Sequence, residues 1–208
     1  MSSKRLCAAL LFVVFGLSAC GGRETESSSS VSTTAPPETK RSTAASSVDW
    51  SSEVQLVKVT HPQWVEELEA MRGGIVVVDN WATWCAPCLE RFPHMLEMAK
   101  RWTPQGVTFV SLSLDDRDDP DSIEQAREFL RQQDARIPNY LMDEIIPDAF
   151  DRLGLLGIPA VFIYDSKGTM VHRLTGDDPN RQYTEEDVEE AIRAMVGAGL
   201  KGRSPRSP

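Results

Sequence analysis

The chain has 208 residues, with 31 acidic against 22 basic side chains and a formal net charge of −9 at pH 7. This negative balance argues against nucleic acid as a partner, and it gives the chain no attraction to anionic lipid. The sequence also lacks a glycine-rich phosphate loop, a serine-triad pattern and an internal repeat, which argues against the protein classes that those patterns mark.

The beginning of the chain has the pattern of an export signal. Lys4 and Arg5 precede an apolar run at 6–19, which is too short to predict a transmembrane helix. The run ends in LSAC, which resembles a bacterial lipobox, where the cysteine receives lipid and becomes the first residue of the mature chain. We therefore predict a signal peptide over 1–19 and lipidation at Cys20, with ordinary secretion or an uncleaved anchor as alternatives.

Serine, threonine, proline and charged residues dominate the next segment, 20–48, and the last one, 200–208. Such a composition buries too little apolar surface to fold, so both segments are predicted to be disordered. The first would tether a single folded domain, predicted over 49–199, to a membrane while leaving it free to turn. About 150 residues are enough for one hydrophobic core.

The domain opens with a predicted helix followed by a predicted strand. Thr60 and Gln63 have the capping-box spacing ahead of a helix near 61–72. The β-branched run at 75–78 is typical of a strand that is buried on both faces.

Two cysteines, Cys85 and Cys88, lie where this strand gives way to the next predicted helix. Free N–H groups and the helix dipole stabilise a thiolate there, which lowers the pKa of such a thiol from about 8.5 toward about 7 or below. Pro87 is tolerated because its missing N–H has no partner in the first turn. The spacing predicts a redox-active dithiol in which Cys85 attacks and Cys88 closes the ring.

Two other interpretations of the cysteine pair are weaker. A structural zinc site needs four ligands, and His61, His94 and His172 lie in unrelated segments without ligand spacing. A structural disulfide across two residues closes almost no loop, so it removes little entropy from the unfolded chain. Redox chemistry remains, provided that the flanking pattern is strand and then helix.

The helix after the cysteines is predicted from apolar residues at three- and four-residue steps, and Pro93 is expected to bend it about one and a half turns after Cys88. These apolar residues are Phe92, Met95, Leu96 and Ala99. The acidic run at 115–121 lacks the ligand spacing of an EF-hand calcium loop and is interpreted as solvated.

Further elements follow in the same alternation, with cap signals at Asp119–Pro120 and Thr184–Asp187. Strands are predicted near 107–114, 139–142, 160–164 and 169–175, and helices near 120–133, 145–153 and 185–197. The last two strands form a hairpin through DSKG. The order predicts an α/β fold with a mixed central sheet flanked by helices.

The sequence resembles the thioredoxin superfamily, in particular its extracytoplasmic TlpA/ResA-like thiol-disulfide oxidoreductases. The resemblance rests on VDNWATWCAPC at 78–88, FP at 92–93, GIPAVFIYDSKG at 157–168 and Gly176. It covers roughly residues 50–197 and implies a thioredoxin-like fold with the insertion of that branch.

The resemblance also implies roles for individual residues. Asp79 matches a buried acid that moves a proton to or from the second cysteine, whereas unaided it is equally an acid at the end of a strand. Pro159 matches a cis-proline beside the dithiol, although an X-Pro bond is cis in only about 5–6% of cases. Ile158 before it then offers its backbone to an extended substrate. Trp84 matches a surface tryptophan that contacts substrate, whereas Trp81 is expected in the core.

One position departs from the TlpA/ResA-like pattern. Members of that branch often carry a glutamate immediately before the FP pair, where it tunes the acidity of the site. This chain has Arg91 there and Glu90 one place earlier, which faces a different direction on a helix. The redox tuning and the exact subfamily therefore stay open.

The sequence predicts an extracytoplasmic, membrane-tethered, monomeric thiol-disulfide oxidoreductase that reduces protein disulfides, with the Cys85–Cys88 disulfide in place of any cofactor or metal. The resemblance implies a membrane thiol transporter as electron donor on the periplasmic side. It also implies apocytochrome c or metal-centre assembly factors as clients. The rivals are an oxidase or isomerase with the same residues, a copper carrier using both thiolates and a histidine such as His94, and a noncatalytic binding module.

Overall fold

A computed structural model describes residues 53–176 and 182–202. The predicted signal peptide, the lipidation site Cys20, the whole predicted tether and the end of the predicted tail lie outside these residues. No helix within the described ranges combines the length and the apolar character needed to cross a bilayer.

Within the described residues, six strands and five α-helices alternate, except that β5 is followed directly by β6. The strands are β1 (Val57–Val59), β2 (Ile75–Trp81), β3 (Val107–Ser113), β4 (Asn139–Met142), β5 (Ala160–Tyr164) and β6 (Met170–Thr175). The helices are α1 (His61–Ala70), α2 (Ala86–Trp102), α3 (Pro120–Gln132), α4 (Ile146–Leu153) and α5 (Glu185–Gly202).

The strands form one mixed sheet in the order β1-β4-β3-β2-β5-β6. Strand β2 is central, because it pairs in parallel with β3 and antiparallel with β5. The hairpin partner β6 completes the antiparallel edge. This arrangement confirms the predicted thioredoxin-like α/β fold with its helix-flanked mixed sheet.

Alternation along β2 divides the hydrophobic core into two layers. Val77 points into the layer built with α2, α3 and α5, and Val76 and Val78 point into the layer built with α1 and α4. Both faces of β2 are therefore covered, as its β-branched run predicts. The consequence for function is that a polar side chain on this strand lies in the interior.

Most predicted elements are confirmed within two residues, with four differences. The β1 strand was not predicted, since a three-residue strand carries almost no periodicity, and neither was the 3-10 turn at Thr103–Gln105. The β2 strand continues beyond residue 78 to Trp81, because Asp79 and Asn80 keep pairing with strands on both sides. The α5 helix was expected to end near 197 and reaches Gly202.

Candidate functional site

Cys85 and Cys88 form a disulfide at the start of α2, with their Cα atoms 5.2 Å apart. Cys85 is the residue that caps the helix, and its carbonyl accepts hydrogen bonds from the N–H groups of Cys88 at 3.0 Å and Leu89 at 3.2 Å. Pro87 lies in the first turn, as predicted. The two sulfurs therefore lie where the helix dipole favours negative charge once the bond is reduced.

The disulfide is buried beneath exposed neighbours in the same turn of the chain. Cys85 is 5% and Cys88 is 2% exposed, whereas Trp84 is 54% exposed and Ala86 and Pro87 are also at the surface. A reacting group must therefore approach over Trp84 and the Ala86–Pro87 turn to reach either sulfur.

The Trp84 ring stacks on Phe150 of α4, with ring centroids 6.4 Å apart and the planes inclined by 27°. This contact was not predicted, because nothing in the local pattern of α4 joins it to the cysteine motif. Trp81 is fully buried and packs against Phe92 and Phe129, which confirms its expected place in the core.

A buried carboxylate, Asp115, holds the segment that leads into the cysteines. It accepts a hydrogen bond from the Thr83 N–H at 2.9 Å and others from the Thr83 and Ser122 hydroxyls. The Ser113 hydroxyl donates to its second oxygen at 2.7 Å. Asp115 thus fixes the backbone immediately before Trp84.

The sequence placed Asp115 in a solvated acidic loop, and for this residue the prediction was wrong. Its neighbours Asp116 and Asp118 are exposed, whereas Asp115 is 1% exposed. Ser111, Ser113 and Asp115 are all buried at a spacing of two, the period of a strand. Continuing the β3 alternation two residues further is the signal that would have identified it.

Asp79 is buried on β2, on the face of the sheet that α2 covers. It faces a small cavity that Arg91 and Met95 of α2 also line. Cys88 and Arg91 are three residues apart on α2, so they are neighbours on the surface of that helix. Burial raises the pKa of Asp79 to about 7, against a smaller opposing effect of the Arg91 charge.

Arg91, the residue that departs from the TlpA/ResA-like pattern, is anchored at the start of α5. Its Nε lies 3.0 Å from Glu185 Oε1, and its guanidinium lies 3.9 Å from the centre of the Tyr183 ring. The departure from the family pattern drew attention to Arg91. Its partners Tyr183 and Glu185 were not predicted, because they lie about 90 residues away along the chain.

The Ile158–Pro159 peptide bond is cis, as the resemblance implied. Asn80 pairs with Ala160 in the β2–β5 register, and its side-chain amide donates to the Ala160 carbonyl at 3.1 Å. Pro159 therefore lies at the end of β2 from which the cysteine loop departs. Ile158 is partly buried against both core layers.

Among the described residues, no group of three or more His, Cys, Asp or Glu side chains is arranged to hold a metal ion. His94 lies on the exposed side of α2 and pairs with Glu97 at 3.9 Å. The candidate site consists of the disulfide and the exposed Trp84 at the start of α2, with Asp79 on β2 and the cis Ile158–Pro159 bond before the paired strand β5.

Known proteins are similar to this chain over its folded part. Residues 56–173 match the AhpC/TSA family. The chain is 27% identical over 132 residues to the thiol-disulfide oxidoreductase ResA of Bacillus thuringiensis subsp. konkukian, covering 62% of this chain and 68% of ResA. It is 26% identical over 140 residues to the thiol:disulfide interchange protein DsbE of Vibrio cholerae, covering 64% and 67%.

Among solved structures, a thioredoxin-like protein in its oxidised form superposes with a TM-score of 0.52 at 16% identity, covering 63% of this chain and 84% of that one. At this identity the likeness concerns the fold alone.

Proposed function

The chain belongs to the AhpC/TSA family and is a thiol-disulfide oxidoreductase, and we propose that it reduces disulfides of exported proteins through Cys85 and Cys88. The observation that carries this proposal is the Cys85–Cys88 disulfide at the first turn of α2, next to the exposed Trp84. The cis Ile158–Pro159 bond precedes β5, which pairs with the end of β2 that leads to the cysteines. This placement gives a reactive sulfur, a second sulfur within bonding distance and a surface for substrate.

The proposed reaction moves two electrons to the substrate in two steps. The Cys85 thiolate attacks one sulfur of a substrate disulfide, so that a mixed disulfide forms and the first substrate sulfur leaves as a thiolate. Cys88 then loses its proton and attacks Cys85, which releases the second substrate sulfur and restores the Cys85–Cys88 disulfide. A thiol donor must reduce that disulfide before the next turnover.

Asp79 is proposed to take the proton that Cys88 loses. It lines a small cavity with Arg91, which lies three residues after Cys88 on α2, and a pKa of about 7 lets it accept and release a proton near neutral pH. The resemblance to thioredoxins supports this role, in which the proton passes between the acid and the second cysteine through water.

The proposed substrate surface consists of Trp84, Ile158 and Pro159. An extended substrate segment would pair with the backbone at Ile158 in the manner of an added strand and lay an apolar side chain on Trp84. The support is positional, because Trp84 is exposed and Pro159 lies where the cysteine loop leaves β2. Leu156, which is 87% exposed in the same loop, adds apolar surface.

The proposed location is the periplasmic side of a bacterial membrane, with Cys20 as the lipid anchor and the segment at 20–48 as the tether. The support is the charged, apolar and LSAC pattern of the first 20 residues. A membrane thiol donor would supply electrons, and apocytochrome c or metal-centre assembly factors are the proposed clients. The resemblance to TlpA/ResA-like proteins supports these partners.

A trapping experiment tests the proposed function. In a Cys88→Ser variant the second step is blocked, so Cys85 is expected to accumulate mixed disulfides with its clients. Cells expressing this variant would be quenched with acid, and disulfide-linked partners would be separated and identified by mass spectrometry.

The matched controls are Cys85→Ser and the double variant Cys85→Ser/Cys88→Ser, which are expected to capture nothing. Equal capture by the Cys85→Ser variant, or no capture together with a Cys85 thiol that fails to react with a small disulfide, would contradict the proposed roles.

A further inference from the structure

A cavity of about 20 Å³ lies between β2, α2 and the start of α5, apart from the disulfide surface. Its polar lining consists of Asp79, Arg91, Tyr183 and Glu185, and the other lining side chains are apolar. This volume holds one water molecule, since a water needs about 10–15 Å³ and two to four polar partners. The cavity therefore offers Asp79 a hydrogen-bonded neighbour other than the thiols.

Asp79 is enclosed by neighbouring strands and helices and is only 7% exposed. Asp79 belongs to the central strand and pairs with Ser111 of β3 on one side and Val161 of β5 on the other. The apolar side chains of α2 and α5 cover its face of the sheet. The cavity therefore gives a proton held by Asp79 a route toward the partly exposed Arg91 and Glu185 that does not pass through the dithiol.

An ion pair stands at the outer end of the cavity. The Arg91 side chain is 21% exposed and that of Glu185 is 38% exposed, so the pair spans the boundary between the interior and solvent. The guanidinium also lies over the Tyr183 ring, and this contact helps to hold it in position.

The charged groups at this boundary come from two elements. Arg91 comes from α2 and Glu185 from α5, while the neighbouring residues of β2 and β5 that line the cavity, Val77 and Val161, carry no charge. Tyr183 is neutral, since burial above all, with the charge of Asp79 next, raises the pKa of its hydroxyl. Arg91 and Glu185 are thus the two charged side chains that face Asp79 from the helices covering it.

We propose that Arg91 and Glu185 form a proton gate, through which Asp79 exchanges its proton with solvent during the resolving step. When the ion pair separates, the cavity water passes the proton from the Asp79 carboxyl to the Glu185 carboxylate, which releases it to bulk. Protons are conserved in this step. Cys88 loses a proton, which Asp79 and then Glu185 carry to solvent, and the departing substrate thiolate takes up a proton from solvent. This inference rests on the proposed function, because it needs Cys88 to hand its proton to Asp79.

The test separates the two chemical steps with dithiobis(nitrobenzoate), an aromatic disulfide that releases the coloured thiolate thionitrobenzoate. The reduced full chain releases one thiolate when Cys85 attacks and a second when Cys88 resolves the mixed disulfide, and stopped-flow absorbance follows both. Glu185→Gln removes the carboxylate at nearly constant size. Glu186→Gln is the matched control, since this exposed residue is adjacent on the same helix turn.

We expect Glu185→Gln to slow the second release by about tenfold while the first stays within about twofold. This effect is smaller than the roughly 10²-fold contribution of a general acid or base at the reacting atom, because Glu185 acts through Asp79. Added imidazole should restore the second rate in Glu185→Gln alone, which a merely structural defect would not allow. Arg91→Gln should move the pH midpoint of the second release upward, because a positive charge that favours the Asp79 carboxylate is lost.

A second release that is unchanged in Glu185→Gln, slowed equally in Glu186→Gln, or insensitive to imidazole would overturn the proton gate. Failure of the proposed function has a different signature, because the unaltered chain would then show no second release at all.

Discussion

Serine in place of Cys85 is expected to lower the rate of disulfide reduction by at least about 10³-fold, since a thiolate rather than a hydroxyl is the nucleophile in this chemistry. The change replaces one buried sulfur by oxygen, so the reduced fold should remain. The measurement is turnover of a protein disulfide with a small dithiol as electron donor, at several substrate concentrations.

The matched control for Cys85→Ser is Ala86→Ser, which alters the adjacent, exposed residue of the same turn. This control should keep its activity within about threefold, because Ala86 carries no reacting group. Thermal denaturation of the reduced proteins would show that both variants are folded. Activity in Cys85→Ser that stays within tenfold of the unaltered chain would exclude Cys85 as the attacking sulfur.

The difference in free energy of unfolding between Asp79→Asn and the unaltered chain is expected to shift in favour of the variant as pH rises. In the folded protein burial raises the pKa of Asp79 from 3.8 to about 7. Well below pH 3.8 the carboxyl is protonated in both folded and unfolded chains, so it has no effect, and at pH 4 its effect is still small. Above pH 7 the folded chain must keep a charged carboxylate buried, and this costs the native state on the order of 4 kcal/mol.

Urea denaturation of reduced proteins at pH 4, 6 and 8 measures this effect as a difference in free energy of unfolding between Asp79→Asn and the unaltered chain. The difference should widen by about 4 kcal/mol in favour of the variant from pH 4 to pH 8. The new amide can change the free energy of unfolding by a constant amount at every pH. Only the change of the difference with pH tests the raised pKa of Asp79. Asp116→Asn, at an exposed acid, should show a change below about 0.5 kcal/mol. A gap that does not depend on pH would refute the raised pKa.

The parts of the molecule that the sequence predicted are those with strong local signals. The β-branched run at 75–78 identified the central strand, and the Asp119–Pro120 signal located the start of α3, where the Asp119 side chain accepts from the Asp121 N–H. The cysteine spacing located the dithiol without further help. The cis bond at Pro159 came from family resemblance, because base rates alone favour trans.

The parts that the sequence did not predict depend on contacts between distant segments. The stacking of Trp84 on Phe150 and the anchoring of Arg91 by Glu185 and Tyr183 arise only when the sheet brings α4 and α5 to the catalytic helix. Asp115 was misplaced for a different reason. A run of acidic residues suggests a solvent-exposed loop by its composition alone. The burial of Asp115, its first residue, becomes evident only when the two-residue period of β3 is continued past the end of that strand at Ser113.

The central claim is that Cys85 becomes an activated thiolate at the start of α2 when the disulfide opens. The most direct measurement is the rate of alkylation of Cys85 by iodoacetamide from pH 4 to pH 10 in the reduced chain, with the modified residue identified by mass spectrometry. The rate should rise with a midpoint near or below pH 7, well under the ordinary thiol value of about 8.5. A midpoint at or above about 8.5 would contradict this account of the site.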